Sequence, residues 1–369
     1  MRIAFYAPMK PLDAAVPSGD RAVARAYARA LEAAGQKVVI PSVLRTYLHD
    51  ANAFDTCARA AETETARLMR EIERCDLWFT YHSYYRAPDL LGPAMAAHWR
   101  APYAIAEASI AMKRAHGEWA PAHAAACRAL TAADAVFAAT AHDRKGLEAV
   151  VPAERLHDRK PFLDAAPFRI WRDRRRDARA AWGLAESDAP VLVTAAMMRV
   201  GRKSANFEAL AAALAMIEAR PWTLLIAGGG PERARVEKLF GRFDSARVRF
   251  LGAVAPENMP ALYAAGDLYV WPGEGEAYGM AYLEAAATAR PAIGANARGV
   301  PDVIRDGKTG CLVAPGDADA LARAIARLLD DGALRATMGE AAARFVDGER
   351  DLPHAAAQLS AVLASLTKP

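Results

Sequence analysis

The sequence has few cysteines and no apolar run of membrane length. Four cysteines occur in 369 residues, none at CxxC spacing, and no histidine pair completes a zinc pattern. Scattered thiols are typical of a reducing compartment. The first residues lack the apolar core and small-residue cleavage site of a signal peptide, and eighteen consecutive apolar residues occur nowhere. We therefore expect a soluble cytoplasmic protein, with peripheral contact at the inner face of a membrane left open.

Neither positive nor negative charge is in marked excess. Lys and Arg total 47 against 43 for Asp and Glu, which leaves a formal net charge of +4. The basic residues are interleaved with acids, so nucleic acid is not predicted as a partner. Hydrophobic residues make up 53% of the chain, enough for two domains of ordinary size to bury a core each. These features do not determine an oligomeric state.

Short apolar runs alternate with helical patterns along the chain. In the first half the runs are Arg2–Tyr6, Lys37–Pro41, Leu77–Tyr81, Tyr103–Ala106 and Ala135–Ala139. The alternation restarts at Val191, and the later runs are Val191–Ala195, Trp222–Ala227, Val248–Leu251 and Leu268–Trp271. Apolar strands separated by helices indicate βαβ units and parallel sheets.

This pattern predicts an α/β protein with two Rossmann-like parallel-sheet domains that face each other across a cleft. The first domain is expected at residues 1–165 and the second at 166–345. A C-terminal helix within 346–369 is expected to pack back on the first domain. Ligands of open parallel sheets bind at the carboxyl ends of the strands, so that is where chemistry is expected.

An arginine-rich segment, Ile170–Trp182, lies between the two halves. Its mixture of basic, acidic and apolar residues predicts one amphipathic helix. We favour a solvated helix that packs on the second domain, because this is the usual fate of a charge run. Contact of this basic face with a membrane or with phosphates remains the alternative.

The most informative stretch runs from Trp271 to Glu284, after a predicted strand and into a helix. A helix N-terminus offers free amides and a dipole that favour an anionic group such as a diphosphate. The amides expected there belong to Tyr278, Gly279, Met280 and Ala281. Glu284 lies farther along the helix, where a carboxylate can accept two hydrogen bonds from a ribose diol. Glu276 precedes the helix and can face the other end of the same ligand.

The spacing of Glu276 and Glu284, with Tyr278-Gly279 between them, resembles the signature of glycosyltransferase family 4, whose fold is GT-B. Further segments continue the resemblance in order. They are Leu225–Glu232, Phe250–Gly252, Tyr263–Asp267, Arg290–Gly294, Gly299–Ile304, Asp306–Val313 and Pro315–Asp317. The resemblance covers roughly residues 191–331 and marks the second domain as the nucleotide-sugar-binding one.

The resemblance implies a retaining transfer of a sugar from a nucleotide-diphosphate sugar to a hydroxyl, with no required metal and no tightly bound cofactor. UDP-sugar is the default donor and GDP-sugar the second choice. The acceptor would be a glycan, a glycolipid or a small molecule, as in the synthesis of bacterial envelope polysaccharides and glycolipids.

Cations near the leaving diphosphate are also implied by the family. Arg199 and Lys203 resemble the family's pair, although three residues separate them here rather than four. Arg202 competes for either role, and we interpret it as a solvated loop cation. Glu276 would orient the donor sugar and Glu284 would hold the ribose.

Four further predictions complete the expected site. Backbone groups of the segment from Gly252 to Val254 are expected to meet the base. In the first domain, Gly19 lies in the first strand-to-helix loop, Pro17-Ser18-Gly19-Asp20, where the family has glycines against the phosphates. Glu107 stands where the family often has a histidine, and either binds substrate hydroxyls or caps a helix. His82 follows a strand, beside tyrosines, and either contacts a sugar or caps the sheet.

Rival functions stay open at this point. A nucleotide-sugar 2-epimerase shares the architecture, and a non-catalytic nucleotide-sugar-binding protein would keep the same pocket. A nicotinamide dehydrogenase is also α/β, but the chain has no clean GxGxxG fingerprint and no ribose-binding acid after the second strand. A glycosyltransferase is the function that the residues favour.

Overall fold

The computed structural model describes residues 1–13, 19–184 and 189–366. The chain forms two compact units. The first comprises residues 1–161 and the segment from Leu352 onward, and the second comprises Phe162–Asp351. Each unit contains one parallel sheet of six strands, so the expectation of two Rossmann-like α/β domains is confirmed.

The strands of the first unit are short and almost wholly buried. They are β1 (Arg2–Tyr6), β2 (Lys37–Val39), β3 (Leu77–Tyr81), β4 (Tyr103–Ala106), β5 (Ala135–Ala138) and β6 (Leu156–Asp158). Their order in the sheet is β2-β1-β3-β4-β5-β6. Continuous apolar runs fit this position, because a parallel sheet is covered by helices on both faces.

Five helices connect these strands. They are α1 (Gly19–Ala33), α2 (Phe54–Glu71), α3 (Gly92–Trp99), α4 (Ala120–Ala132) and α5 (Ala141–Leu147). The core on one side of the sheet is aromatic: the ring of Trp78 lies 5.8 Å from the rings of both Tyr6 and Trp99. Large buried rings of this kind supply much of the apolar area that holds helices against a sheet.

A buried carboxylate fixes the end of β3 to α3. Asp89 accepts hydrogen bonds from the hydroxyls of Thr80 and Tyr103 and from the amides of Leu91 and Gly92. A buried charge is tolerated when its oxygens are fully hydrogen-bonded. The segment that follows β3 is therefore held on a rigid support, which matters for the side chains described below.

The second unit repeats the design with a different strand order. Its strands are β7 (Val191–Ala195), β8 (Thr223–Ala227), β9 (Val248–Gly252), β10 (Leu268–Val270), β11 (Ala292–Ala295) and β12 (Gly310–Val313). The order is β12-β11-β10-β7-β8-β9, which is the doubly wound order of the dinucleotide-binding fold.

Eight helices belong to this unit. They are α6 (Ala166–Arg169), α7 (Arg175–Ala181), α8 (Arg202–Met216), α9 (Arg233–Phe240), α10 (Met259–Ala265), α11 (Met280–Ala287), α12 (Ala318–Asp330) and α13 (Gly332–Phe345). A π-helical turn at Val346–Arg350 leads to α14 (Leu352–Leu366), which packs against α1 of the first unit. The last turn of α14 is the end of the described chain.

The arginine-rich segment is not the single helix expected over Ile170–Trp182. Two short helices, α6 and α7, flank an irregular stretch, because the arginines bind acids elsewhere in the fold instead of forming one solvated face. Arg172 pairs with Asp347, and Arg175 and Arg179 both bind the buried carboxylate of Asp267. Tertiary ion pairs therefore override the local periodicity, and part of the predicted basic face is neutralised.

Reversals of strand order mark one position in each sheet. In the first unit, β1 lies between β2 and β3, and in the second unit β7 lies between β8 and β10. In each sheet the chain first continues to one side of this central strand and later returns to its other side. The loops after the two central strands diverge there, which opens a crevice at the carboxyl ends. Several of the predicted site residues lie at these two switch points.

Candidate functional site

In the second unit, the loop after β10 ends at a left-handed glycine. Gly279 has φ of 77° and is the residue before α11. A Cβ on Gly279 would lie 2.6 Å from the ring of Tyr282, so both its conformation and its surroundings require glycine. The amides of Met280 and Ala281 begin α11 at the carboxyl end of β10, where helix geometry leaves the first N–H groups without an intrahelical acceptor. Tyr278 is the last side chain before this turn and is nearly buried.

Glu276 and Lys203 are in direct contact at this place. The Lys203 ammonium donates a hydrogen bond to Oε1 of Glu276, and Trp271 Nε1 donates to the same oxygen at 2.9 Å. Lys203 also lies 5.3 Å from the centre of the Trp271 ring. Within the described chain, Oε2 of Glu276 accepts no recorded hydrogen bond, so this carboxylate keeps an acceptor for a further group. Lys203 lies in the first turn of α8, which follows β7, and Glu276 lies in the loop after β10, so the two residues come from either side of the switch point.

The sequence analysis missed the residue that holds the Glu276 loop. The Asn206 amide accepts from the Glu274 N–H at 2.9 Å and donates to the Glu274 carbonyl at 3.1 Å. Asn206 lies one turn after Lys203 on α8, so its spacing from Lys203 was the available signal. Phe207 packs edge-on against Trp271, with ring centres 4.9 Å apart. The helix that carries Lys203 therefore also fixes the loop that carries Glu276.

Glu284 lies on α11 and binds a tyrosine from α10. The hydroxyl of Tyr263 donates to Glu284 Oε2 at 2.6 Å. Burial raises the pKa of the Glu284 carboxyl, and the hydrogen bond from Tyr263 opposes that rise. Tyr269 packs against Tyr263, with ring centres 5.7 Å apart. The pKa of Tyr269 is raised, mainly by burial and in addition by the negative charges of Glu276 and Glu284. The two predicted glutamates therefore share one electrostatic environment.

The remaining predicted residues of this unit lie along the carboxyl edge of the sheet. Arg199 is exposed in the loop after β7, and its carbonyl accepts from the Ser204 hydroxyl at 2.9 Å. Gly252 ends β9, and its carbonyl accepts from the Gly228 N–H at 2.7 Å, so this group is already used within the protein. Val254, two residues on, is half-buried.

The glycines after β8 bring two loops into close contact. A Cβ on Gly228 would lie 1.9 Å from the carbonyl oxygen of Ala196, and one on Gly230 would lie 2.2 Å from that of Met198. Side chains at these positions would push the loop after β7 outward. The glycine-rich turn therefore places the backbone that leads to Arg199 and Lys203.

In the first unit, His82 and Glu107 follow β3 and β4 and share an unusual backbone. Their φ angles are 61° and 53°, a left-handed conformation that costs a non-glycine residue about 1–3 kcal/mol. His82 Nδ1 lies 2.5 Å from Oδ1 of Asp20, in the first turn of α1. Burial lowers the pKa of His82, but the hydrogen bond and charge of Asp20 outweigh it, and the net pKa is raised.

Gly19 begins α1 next to Asp20, and no atom lies within 4 Å of where its Cβ would be. Space alone therefore does not require glycine there. The preceding Pro17 and Ser18 of the predicted phosphate loop lie outside the described residues. Asp20, which the sequence analysis quoted but did not choose, is the member of this loop that contacts His82.

Two searches of the structure concern residues 1–13, 19–184 and 189–366. No helix in these ranges is long and apolar enough to cross a membrane. Nor do these ranges contain a group of three or more His, Cys, Asp or Glu side chains that could hold a metal ion.

Known proteins that are similar to this chain include sugar transferases. Residues 189–331 match the family model described as glycosyl transferases group 1. A stretch of 250 residues is 33% identical to alpha-D-kanosaminyltransferase of Streptomyces kanamyceticus and covers 66% of this chain and 62% of that protein. Sucrose-phosphate synthase from Thermosynechococcus elongatus has a similar structure, with a TM-score of 0.78, 24% identity, and 99% and 98% of the two chains covered. HepE of Anabaena in complex with UDP gives a TM-score of 0.76 at 18% identity, with 99% of this chain and 100% of that chain covered.

The structural similarities lie below 25% identity and show the fold, which is of the GT-B class with two Rossmann-like domains. Residues 189–331, which match the glycosyl transferases group 1 model, lie in the second of these domains. The resemblance to glycosyltransferase family 4, drawn from the Glu276 to Glu284 signature, is thereby confirmed. The chain spans 62% of the length of the kanosaminyltransferase that it matches.

Proposed function

We propose that the protein is a glycosyltransferase that moves a sugar from a nucleotide-diphosphate sugar to a hydroxyl group, with retention of the anomeric configuration. The observation that carries this proposal is the Lys203–Glu276 pair at the glycine-capped start of α11. It combines a cation, a carboxylate with an open oxygen and a helix N-terminus at the switch point of the unit that matches the family.

The proposed chemistry follows from the charges on the reacting groups. As the bond between the sugar and the diphosphate breaks, the diphosphate gains negative charge. Arg199, Lys203 and the amides of Tyr278, Gly279, Met280 and Ala281 would stabilise it. The acceptor oxygen forms its bond to the anomeric carbon on the face that the diphosphate leaves, and its proton passes to a diphosphate oxygen.

The remaining residues would hold the donor in place. Glu276 would accept hydrogen bonds from hydroxyls of the donor sugar through Oε2, since Oε1 already accepts two bonds. Glu284 would accept from the ribose, with Tyr263 fixing its carboxylate. Backbone groups near Gly252 and Val254 would meet the base. Precise positioning is the main contribution that such side chains make to the rate.

UDP-sugar is the proposed donor, with GDP-sugar as second choice. The similar structure of Anabaena HepE, which is in complex with UDP, supports the first choice. The acceptor is proposed to be a hydroxyl of a glycan, a glycolipid or a small molecule. No metal and no tightly bound cofactor enter the proposal.

A thermal-shift screen with UDP, GDP, ADP and CMP tests the binding half of the proposal. A ligand that binds only the folded protein stabilises it, by about 2.7 kcal/mol at a hundredfold excess over Kd. We expect one diphosphate to raise the Tm of the wild type, and Glu284→Ala to lose most of that rise. Glu340→Ala, which removes an exposed glutamate of α13, is the matched control and should keep it. A protein that responds to none of the four nucleotides at millimolar concentration would contradict the proposal.

The stereochemical half requires turnover. We expect release of UDP or GDP from the donor that the screen selects, and a first-formed sugar product with the anomeric configuration of the donor, read by proton NMR. A product of opposite configuration would refute retention while leaving nucleotide binding intact. A nucleotide sugar returned as its 2-epimer would instead identify an epimerase.

A further inference from the structure

The switch point of the first unit holds four side chains that can exchange hydrogen bonds with hydroxyl groups. Asp20 comes from α1, Tyr81 from the end of β3, His82 from the loop after it and Glu107 from the loop after β4. The Tyr81 hydroxyl lies 3.3 Å from Asp20 Oδ1 and 3.5 Å from Glu107 Oε2. Carboxylates, an imidazole and a phenol from one helix, one strand and two loops therefore meet in one place.

The sheet itself fixes the two loop residues. The N–H of His82 donates to the carbonyl of Ala106 at 2.9 Å, and the N–H of Glu107 donates to that of Phe137 at 3.0 Å. Hydrogen bonds between neighbouring strands thus continue through both residues, although each has a left-handed backbone. Strain of this kind persists where the surroundings impose it, and it is concentrated at functional sites.

Asp20 determines which nitrogen of His82 faces outward. Its Oδ1 lies 2.5 Å from Nδ1, so the proton on Nδ1 is held between the two groups and Nε2 is the nitrogen left for a ligand. Oδ2 of Asp20 is buried and accepts no hydrogen bond from any described residue. A buried acceptor without a partner is uncommon in a folded protein, and a ligand hydroxyl would satisfy it.

Three acidic side chains favour the protonated form of His82. Asp20 faces it from α1, Glu107 from the loop after β4 and Asp143 from α5, while Tyr81 and Tyr84 are its aromatic neighbours. Burial disfavours the imidazolium and the three acids favour it, with Asp20 the strongest of them, so that the pKa of His82 is raised overall. A hydroxyl or an amine can donate to the buried Oδ2 of Asp20, whereas an anionic group placed against this carboxylate would be repelled.

We propose that Asp20 and His82 form a dyad that binds hydroxyl groups of the acceptor, with Asp20 as the positioning residue, and that the acceptor is a neutral or amine-bearing polyol. The inference rests on the proposed glycosyl transfer and names the class of its second substrate. His82 Nε2 donates to one hydroxyl oxygen, and Oδ2 of Asp20 and the carboxylate of Glu107 accept from others. Phosphorylated or carboxylated acceptors are disfavoured by the same carboxylates.

Histidine titration by NMR tests the dyad without relying on turnover. The protein has eight histidines, and the resonance that disappears in His82→Gln identifies His82. We expect Asp20→Asn to lower the pKa of His82 more than Asp143→Asn does, because only Asp20 adds a hydrogen bond to its charge. Asp20→Glu should retain part of the effect and serves as the second variant if Asp20→Asn folds poorly. An unchanged pKa of His82 in both Asp20 variants would overturn the dyad.

The acceptor class is tested on the same His82 resonance with three matched probes. Glucose, glucosamine and glucose 6-phosphate differ in charge but share a ring and most hydroxyls. We expect glucose and glucosamine to shift the His82 ring signals at lower concentration than glucose 6-phosphate, and Asp20→Asn to weaken both responses. A strongest response to glucose 6-phosphate, or none to any of the three, would overturn the inference. UDP binding in the same samples reports on the second unit, so failure of the donor site is recognised separately.

Discussion

The two units place different chemical groups at the same topological position. Lys203 and Arg199 lie at the switch point of the second sheet with a helix N-terminus, whereas Asp20, His82 and Glu107 lie at that of the first. Both crevices arise from a reversal of strand order, which fixes where a ligand binds but not which ligand. The side chains at the strand ends decide that: cations and amides suit a diphosphate, and carboxylates with an imidazole suit hydroxyls.

The residues that adopt a left-handed backbone conformation also differ between the two switch points. The loop after β10 reaches its left-handed conformations with Gly273, Gly275 and Gly279, so that the main chain itself can approach a ligand. At the first switch point the left-handed residues are His82 and Glu107, which carry side chains despite the strain. At these left-handed positions the second unit can bring its main chain close to a ligand, whereas the first unit presents side chains.

The largest difference between the two units is expected when the Lys203 cation of the second unit is removed. Lys203→Ala should lower kcat by about 10²–10³-fold, the usual cost of losing one group that stabilises developing charge. Release of UDP from UDP-glucose is the measurement. Arg202→Ala removes a neighbouring cation that forms no ion pair with Glu276 within the described residues and is the matched control, with a smaller loss expected. Equal losses in the two variants would mean that net charge, and not the Lys203–Glu276 pair, matters.

Substitutions at two glycines distinguish the cost of backbone strain from the cost of steric crowding at the start of α11. Gly279→Ala places a Cβ against the Tyr282 ring at a φ of 77°, whereas Gly307→Ala meets no atom within 4 Å at a φ of 69°. Both changes lose about 1 kcal/mol or more through the left-handed backbone, and Gly279→Ala loses a further 1–3 kcal/mol through overpacking. Urea unfolding measures both. If the two variants lose the same stability, Tyr282 gives way freely and Gly279 is needed for conformation alone.

A smaller effect is expected where Tyr263 fixes Glu284. Tyr263→Phe removes the hydrogen bond that opposes the raised pKa of Glu284, so the carboxylate form becomes harder to keep. We expect UDP affinity to fall by roughly 3–10-fold, in line with about 0.5–1.5 kcal/mol for one hydrogen bond. Calorimetric titration with UDP measures it, and the loss should be larger at pH 5 than at pH 8. A loss independent of pH would point to packing and not to the carboxylate.

The smallest effect concerns stability as a function of pH in the first unit. The pKa of His82 is raised in the folded protein from its ordinary value of 6.5, so the folded state binds the proton more tightly than the unfolded state. This contribution is fully present below pH 6.5 and is lost as pH rises through the folded pKa. The difference in unfolding free energy between wild type and His82→Gln should therefore shrink as pH rises. A difference that grows with pH would mean that burial outweighs Asp20.

Much of the second unit was predictable because its motifs are contiguous. The stretch from Trp271 to Glu284 contains the loop, the glycine and both glutamates, and the structure has a left-handed Gly279 directly before α11, as a helix start there requires. Strands β1, β3, β4 and β7 have the predicted bounds, because each is a largely buried and mainly apolar run. Three strands of three or four residues, β6, β11 and β12, were not predicted.

The missed site residues are those whose partners are distant in sequence. Asn206 binds Glu274 across 68 residues and Tyr263 binds Glu284 across 21. Neither side chain belongs to a motif of its own, and an asparagine or a tyrosine on a helix is ordinary. The arginine-rich segment failed as a predicted helix for a related reason, because Asp267 and Asp347 compete for its side chains from elsewhere.

The sequence by itself determined that the chain has two α/β units with a signature of sugar transfer in the second. Those properties depend on local periodicity and on contiguous motifs, which a linear chain records directly. Only the tertiary structure decided that Lys203 meets Glu276 across 73 residues and that Asp20 meets His82 across 62. The reason is that strand order, and not sequence order, determines which loops become neighbours at the carboxyl edge of a parallel sheet.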